Sequence, residues 1–171
     1  MRLLRVIELP SVVAGHVAAT AILALMLAIC WEVVSRYVFN APTIWAHEIG
    51  YMLTGGAFLL GMSWTLRRDG NIRVDLLSTL LGRRGQAVID LAGYLFLVLP
   101  VSGWLAWTLG GIAVEAWRRR EHSGQSAWNP LIWPFRALVC LALVLLTLQL
   151  VATILRTAAT VLGREPAGDG K

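Results

Sequence analysis

The stretch "ALVCLALVLLTLQLVATIL", residues 137 to 155, decides the fold because it contains no charged side chain. A bilayer core of about 30 Å needs about 20 consecutive helical residues that are mostly apolar. With its flanking residues the stretch reaches that length, so it predicts a transmembrane helix. Its one conspicuous polar side chain, Gln149, is expected to make a contact between helices rather than to line a solute path.

Three more charge-free windows precede this one, at residues 17–31, 49–66 and 91–114. Only 15% of the residues are charged, whereas soluble domains carry about 25%. The sequence therefore predicts an all-α integral membrane protein that forms a single domain. The four expected transmembrane helices lie at approximately residues 11–38, 43–66, 87–117 and 134–155.

The N-terminus combines a basic start with an apolar run, as a secretory signal does. However, Ile29 occupies the place where a small residue is expected before Cys30, and the apolar run continues beyond it. An uncleaved first helix is favoured, with Ser11 after Pro10 as its candidate N-cap. Cys30 and Cys140 lie singly in apolar spans, which favours buried thiols over a disulfide.

The segment "RRDGNIRVDLLSTLLGRRGQ", residues 67 to 86, separates the second and third spans. Its leucines repeat at helical spacing between arginines, and it is too short to cross a bilayer. It predicts an amphipathic helix in the membrane interface at approximately residues 73–82. An ordinary soluble loop helix is the alternative. The polar, glycine-rich tail at residues 157–171 is expected to be disordered.

The net charge of +5 does not indicate nucleic acid as a partner, because the basic residues lie at helix ends rather than on a stripe with exposed aromatics. They bear instead on membrane orientation. Ten of them fall on the side of the two termini and five on the other side, which favours cytoplasmic termini by the positive-inside rule. The Arg118-Arg119-Arg120 run opposes this orientation, since it requires translocation.

Tryptophan is concentrated on the expected outer side of the membrane. Five of the eight lie at or beyond that interface, namely Trp31, Trp45, Trp117, Trp128 and Trp133. Aromatic belts normally serve both interfaces. The uneven distribution fits either a lopsided membrane anchor or an outer surface that contacts another protein.

The second span carries a row of small residues three or four positions apart: Ala46, Gly50, Thr54, Ala57 and Gly61. Membrane helices associate closely through such rows because small side chains let their backbones approach. The row predicts a packing seam, within the bundle or against a partner. The alternative is that glycine is simply common in membrane helices.

The chain lacks the usual residues of a transport path or an active site. The centres of all four spans are free of charge, whereas transporters and channels place ionisable groups there. The adjacent His47 and Glu48 diverge on a helix and do not chelate one ion together. The sequence predicts no catalysis, no metal and no cofactor. An independent four-helix channel or multidrug carrier is the alternative to a non-catalytic subunit.

Polar residues cluster in "SRYVFNAPTIWAHEIGYML", residues 35 to 53, where the chain turns between the first two spans. Glu32 and Arg36 are four apart on the first helix and are expected to pair. We hypothesise that Arg36 and Glu48 clasp the two helices while Asn40, Pro42 and Trp45 shape the turn. Direct contact of these residues with a partner protein is the alternative.

This segment and the one after it resemble the signature of the small membrane subunit of TRAP (tripartite ATP-independent periplasmic) transporters. The matching positions are Arg36, Tyr37, Phe39, Asn40, Pro42, Trp45, Glu48, Gly61, Arg67, Arg68, Ile72, Val74 and Asp75. Asn71 stands where the family pattern has His, so a role of that His is not expected here.

The resemblance implies a multi-pass protein of the bacterial inner membrane that scaffolds a large membrane subunit. That large subunit transports organic acids with a sodium gradient, and a periplasmic binding protein delivers the substrate. Membrane lipids are further expected partners. The candidates for structural or partner-contact roles are Arg36, Asn40, Pro42, Trp45, Glu48, Gly50, Gly61, Arg67, Arg68, Arg73 and Asp75.

Overall fold

The protein is a bundle of long helices in a computed structural model that describes residues 2–68 and 83–161. The helices are α1 (Arg2–Tyr37), α2 (Ala46–Arg67), α3 (Arg83–Gly93), α4 (Leu99–Arg119) and α5 (Trp133–Val161), with a π-helical turn (Tyr94–Val98) between α3 and α4. The expected interfacial helix, including Arg73 and Asp75, lies outside the described residues. Residues 162–171 of the expected disordered tail also lie outside them.

Four helical segments are long and apolar enough to cross a membrane, which confirms the predicted fold class. They are Leu9–Tyr37, Ala46–Arg67, Val88–Arg119 and Trp133–Ala159. Large apolar side chains on their outer surfaces are exposed, as expected where hydrocarbon rather than water is the solvent. Phe96 is 78% exposed and Trp107 is 85% exposed.

The first helix begins at Arg2, earlier than the expected start at residue 11, and it contains Pro10. Proline removes one backbone donor, yet the residues on both sides of Pro10 are helical. Ser11 is therefore not an N-cap. Its hydroxyl donates a hydrogen bond of 2.9 Å to Oε1 of Gln149 on α5, so Gln149 makes the expected contact between helices.

The third span changes its hydrogen-bond register just before a proline. Pro100 lacks an N–H and its ring clashes with the carbonyl four residues earlier in a regular α-helix. In the π-helical turn the N–H of Leu99 donates to the carbonyl of Tyr94, five residues back. The wider turn lets the helix continue from α3 into α4 without a break.

The helices meet mainly through α5. It packs against α1, α2, α3, the π-helical turn and α4, whereas the α1–α2 pair does not pack against α3 or α4. The core between α1, α2 and α5 is built from small side chains, with Ala14, Ala18, Ala57 and Ala142 around Leu60. Alanines allow the close helix approach on which association in lipid depends.

Glycine makes two further close contacts in the bundle. A Cβ on Gly15 would lie 2.7 Å from the ring of Trp64, and one on Gly56 would lie 2.7 Å from Cδ2 of Leu138. In the predicted small-residue row, Ala46 and Ala57 are buried, but a Cβ on Gly61 would have no heavy atom within 4 Å. The row is therefore buried in the bundle at its alanines, whereas no other described helix lies close to it at Gly61.

Candidate functional site

The turn between α1 and α2 is organised by the carboxylate of Glu32. Its Oε2 accepts a 2.9 Å hydrogen bond from the backbone N–H of Thr43 and another from the Thr43 hydroxyl. Its Oε1 accepts hydrogen bonds from the guanidinium of Arg36, with Nε at 3.0 Å. The expected pairing of Glu32 with Arg36 is confirmed, and Glu32 also ties α1 to the end of the turn.

The chain reverses at Asn40, which has a φ of 50° in the left-handed region. Asparagine adopts this region more easily than most residues because its short polar side chain can bond locally. The Ala41 N–H donates to the carbonyl of Ser35 at 3.0 Å. Asn40 and Pro42 are exposed, and Trp45 is half-buried directly before α2.

Glu48 is fully buried in the first turn of α2. Its Oε1 accepts a hydrogen bond from the hydroxyl of Ser126, which lies 78 residues away in the loop between α4 and α5. A carboxylate near a helix N-terminus also interacts favourably with the helix dipole. Glu48 Oε2 and the nearby Tyr51 hydroxyl have no hydrogen-bond partner among the described residues.

The proposed Arg36–Glu48 clasp is wrong. Arg36 bonds to Glu32 on its own helix, and Glu48 is directed to Ser126 instead. The reason lies in helical spacing. Residues four apart on a helix are neighbours on its surface, so Arg36 pairs with Glu32 on the same helix. The contact that joins α1 to the segment before α2 is the one between Glu32 and Thr43.

The loop between α4 and α5, residues 120–132, is an ordered lobe. Its two arms are joined by backbone hydrogen bonds from Ser123 to Pro130 at 2.9 Å and from Ile132 to Glu121 at 3.0 Å. The side-chain oxygen of Asn129 accepts a 2.8 Å bond from the N–H of Gly124. Arg136 on α5 forms an ion pair with Glu121.

Ser126 of this lobe bonds to Glu48 in the first turn of α2, so the lobe and the α1–α2 turn form one surface at the end of the bundle opposite the start of α1 and the end of α5. We call it the turn–lobe surface; it consists of residues 38–45 and 120–132. Of the eleven sequence candidates, the structure places Arg36, Asn40, Pro42, Trp45 and Glu48 at or against this surface. Sequence reasoning missed Ser126, because nothing distinguishes it from the nearby Ser123 before the fold is known.

The other described candidates lie further along α2. A Cβ on Gly50 would lie 3.9 Å from Cδ1 of Leu25, an ordinary contact. At the far end, the guanidinium of Arg68 lies 4.6 Å from the centroid of the Trp64 ring and that of Arg67 lies 5.9 Å from it. The charged candidates therefore lie at two ends of the bundle. Glu48 and Arg68 are about 30 Å apart along α2.

The described residues offer little for metal or redox chemistry. No group of three or more His, Cys, Asp or Glu side chains in residues 2–68 and 83–161 is placed to hold a metal ion. Cys30 and Cys140 are free thiols. Cys30 is exposed on the apolar surface rather than buried as expected, and Cys140 is half-buried.

Comparison with known proteins gives a consistent picture. The family model described as the DctQ component of tripartite ATP-independent periplasmic transporters matches residues 25–160. The sialic acid TRAP transporter small permease protein SiaQ of Vibrio cholerae is 23% identical over 109 residues, which cover 64% of this chain. The aligned region spans 57% of that relative's length.

Proposed function

Because the chain belongs to the DctQ family of tripartite ATP-independent periplasmic transporters, we propose that it is a non-catalytic scaffold subunit. In this proposal it supports a large membrane subunit that moves organic acids with a sodium gradient. A periplasmic binding protein delivers the substrate. Sialic acid, named for the Vibrio cholerae relative, is an organic acid, which supports this substrate class. We place both termini in the cytoplasm.

The observation that carries the scaffold role is how the buried polar side chains of the spans are used. Gln149 and Glu48 are the two largest fully buried polar side chains in the described part of the chain. Each is bonded to a serine of another segment, Ser11 and Ser126 respectively. Polar groups that join segments in this way hold a bundle together, whereas a solute path needs polar groups that face a cavity.

The turn–lobe surface is the proposed contact for protein partners. Its exposed residues include Asn40, Pro42 and Trp128. Glu32 holds its backbone at Thr43, and Glu48 holds the Ser126 side chain. Aromatic side chains on a rigid, polar-rimmed surface are typical of protein interfaces. Glu48 itself is buried, so in this proposal it positions the surface and does not touch the partner.

Reconstitution tests the scaffold role directly. The purified chain alone in liposomes with a sodium gradient should show no uptake of a panel of organic acids that includes sialic acid. Together with a large membrane subunit and a periplasmic binding protein, it should be required for uptake. Saturable, gradient-dependent uptake by the isolated chain would overturn the scaffold role and favour an independent small carrier.

A further inference from the structure

A groove with a volume of about 440 Å³ opens on the side of the bundle. It lies between α2 and the π-helical turn, two elements that do not pack against each other and are joined through α5. Its described lining is almost wholly apolar and includes Leu25, Phe58, Met62, Tyr94, Val98 and Leu150. The volume falls in the range of about 300–1,000 Å³ that is usual for ligand sites.

The groove runs along α2. On α2 its lining runs from Thr54 to Thr65, which is about 16 Å along a helix axis. One leaflet of a bilayer has a hydrocarbon depth of about 15 Å, half of the full core. An apolar groove of this length suits one extended hydrocarbon chain.

The walls of the groove present few free polar groups. The hydroxyls of Thr54 and Thr65 donate to the carbonyls of Gly50 and Gly61, at 2.8 and 3.0 Å. The hydroxyls of both threonines thus have their hydrogen bonds within α2, which leaves the methyl groups for apolar contacts. Gly61 lies between them and has open space where a Cβ would be. An apolar occupant therefore meets no unsatisfied hydroxyl from these threonines along the α2 wall.

An arginine follows the end of the groove on α2, although it does not line it. Arg68 follows Thr65 by three positions, so both lie on the same face of α2. The Arg68 guanidinium lies over the ring of Trp64, and Trp64 in turn packs edge-on to His16 at 5.8 Å. Tryptophan at a helix end marks the headgroup level of a membrane, and an arginine there attracts the phosphate of a lipid.

We propose that this groove binds one acyl chain of a phospholipid, with the phosphate of its headgroup beside Arg68. The lipid comes from the leaflet on the side of Arg68. The apolar lining and the length of about one leaflet favour the hydrocarbon chain, and the exposed Arg68, three residues beyond Thr65, favours a phosphate-bearing headgroup. The bound lipid fills the space between α2 and the π-helical turn, so it bridges the two halves of the bundle.

Retention of lipid by the purified full-length chain tests the groove. Native mass spectrometry with added phosphatidylethanolamine should show one retained lipid for the unsubstituted protein. Gly61→Leu fills the groove and should lose most of that retention. Gly103→Leu is the matched control, because Gly103 on α4 also has open space at its Cβ position and does not line the groove. Arg68→Gln should bind the lipid about five-fold more weakly.

Crosslinking of the unsubstituted protein gives an answer that does not depend on whether a variant folds. Phosphatidylethanolamine with a diazirine midway along one acyl chain is placed in vesicles of phosphatidylethanolamine and phosphatidylglycerol. Crosslinks should concentrate at Phe58 and Met62. Crosslinks that are no more frequent there than at the exposed Phe96 and Trp107 would overturn the proposal in favour of ordinary surrounding lipid.

The same probe is then used with the large membrane subunit present. If the groove holds lipid, the crosslinks at Phe58 and Met62 persist in the complex. Their replacement by crosslinks between the two proteins would overturn the proposal and assign the groove to the partner. Equal lipid retention by folded Gly61→Leu and Gly103→Leu would overturn it as well.

Discussion

The hydroxyl of Ser126 donates a hydrogen bond to the buried carboxylate of Glu48. This contact holds the lobe between α4 and α5 against the first turn of α2, although the two residues are 78 positions apart in the sequence. Glu48 therefore helps to position the lobe, together with Arg136 of α5, which pairs with Glu121, and sequence reasoning had assigned Glu48 to a different partner.

Ser126→Ala should lower the stability of the protein by about 1–3 kcal/mol, because it removes the bond to a buried carboxylate. The measurement is the midpoint of thermal unfolding in detergent. Ser123→Ala is the matched control in the same lobe, since the Ser123 hydroxyl accepts only a long bond of 3.4 Å from Gln125. Equal midpoints for the two variants would show that the Glu48–Ser126 contact contributes nothing to stability.

Glu32→Gln should lower the unfolding midpoint more than Arg36→Gln does. Glu32 accepts bonds from the backbone N–H and the hydroxyl of Thr43 and from Arg36. Replacing the exposed Arg36 removes only its ion pair with Glu32 on the same helix. Such exposed pairs contribute little to stability.

Exchanging the charges of Arg36 and Glu48 in one variant should not restore the stability that either single charge reversal loses. Recovery in the exchanged variant would revive the clasp between those two residues.

Gly15→Ala should destabilise the protein by about 1–3 kcal/mol through overpacking. The added methyl group would lie 2.7–2.9 Å from ring atoms close to the root of the Trp64 side chain, which cannot swing away as a flexible chain end can. Gly61→Ala adds the same methyl group in open space and should be tolerated. Thermal unfolding of the two variants checks the difference, and a more damaging Gly61→Ala would place a neighbour where the structure has none.

Membrane orientation is tested with a reporter that is active only in the periplasm. Fused at Lys171 it should be silent, and inserted in the lobe near Ser123 it should be active. The physical reason is the excess of arginine and lysine on the side of the termini. The reverse pattern would place the turn–lobe surface in the cytoplasm and exclude it as a contact for a periplasmic partner.

The sequence predicted the parts of the fold that depend on local composition. Charge-free windows were enough to find four spans, because the bilayer sets both their length and their polarity. The Glu32–Arg36 pair follows from helical spacing alone. The partner of Glu48 does not, since it depends on the path of a loop 78 residues away. The π-helical turn was also missed, because hydropathy carries no information about hydrogen-bond register.

The glycines show the same limit. Gly50 and Gly61 belong to the row that predicted a seam, but the tightest glycine contacts are those of Gly15 with Trp64 and Gly56 with Leu138. Spacing along one helix identifies which residues share a face. It does not identify which large side chain of another helix will be placed opposite them.

The central position of α5 bears on how the protein is made. Of the described helices, α5 is the last to leave the ribosome. Until then α1 and α2 can pack on each other, and α3 continues into α4 through the π-helical turn, but among the described elements no helix of one pair packs against a helix of the other. The helices of the two pairs are therefore brought together only once α5 has been made, and before that the hydrogen bond from Ser126 to Glu48 is a described contact between them.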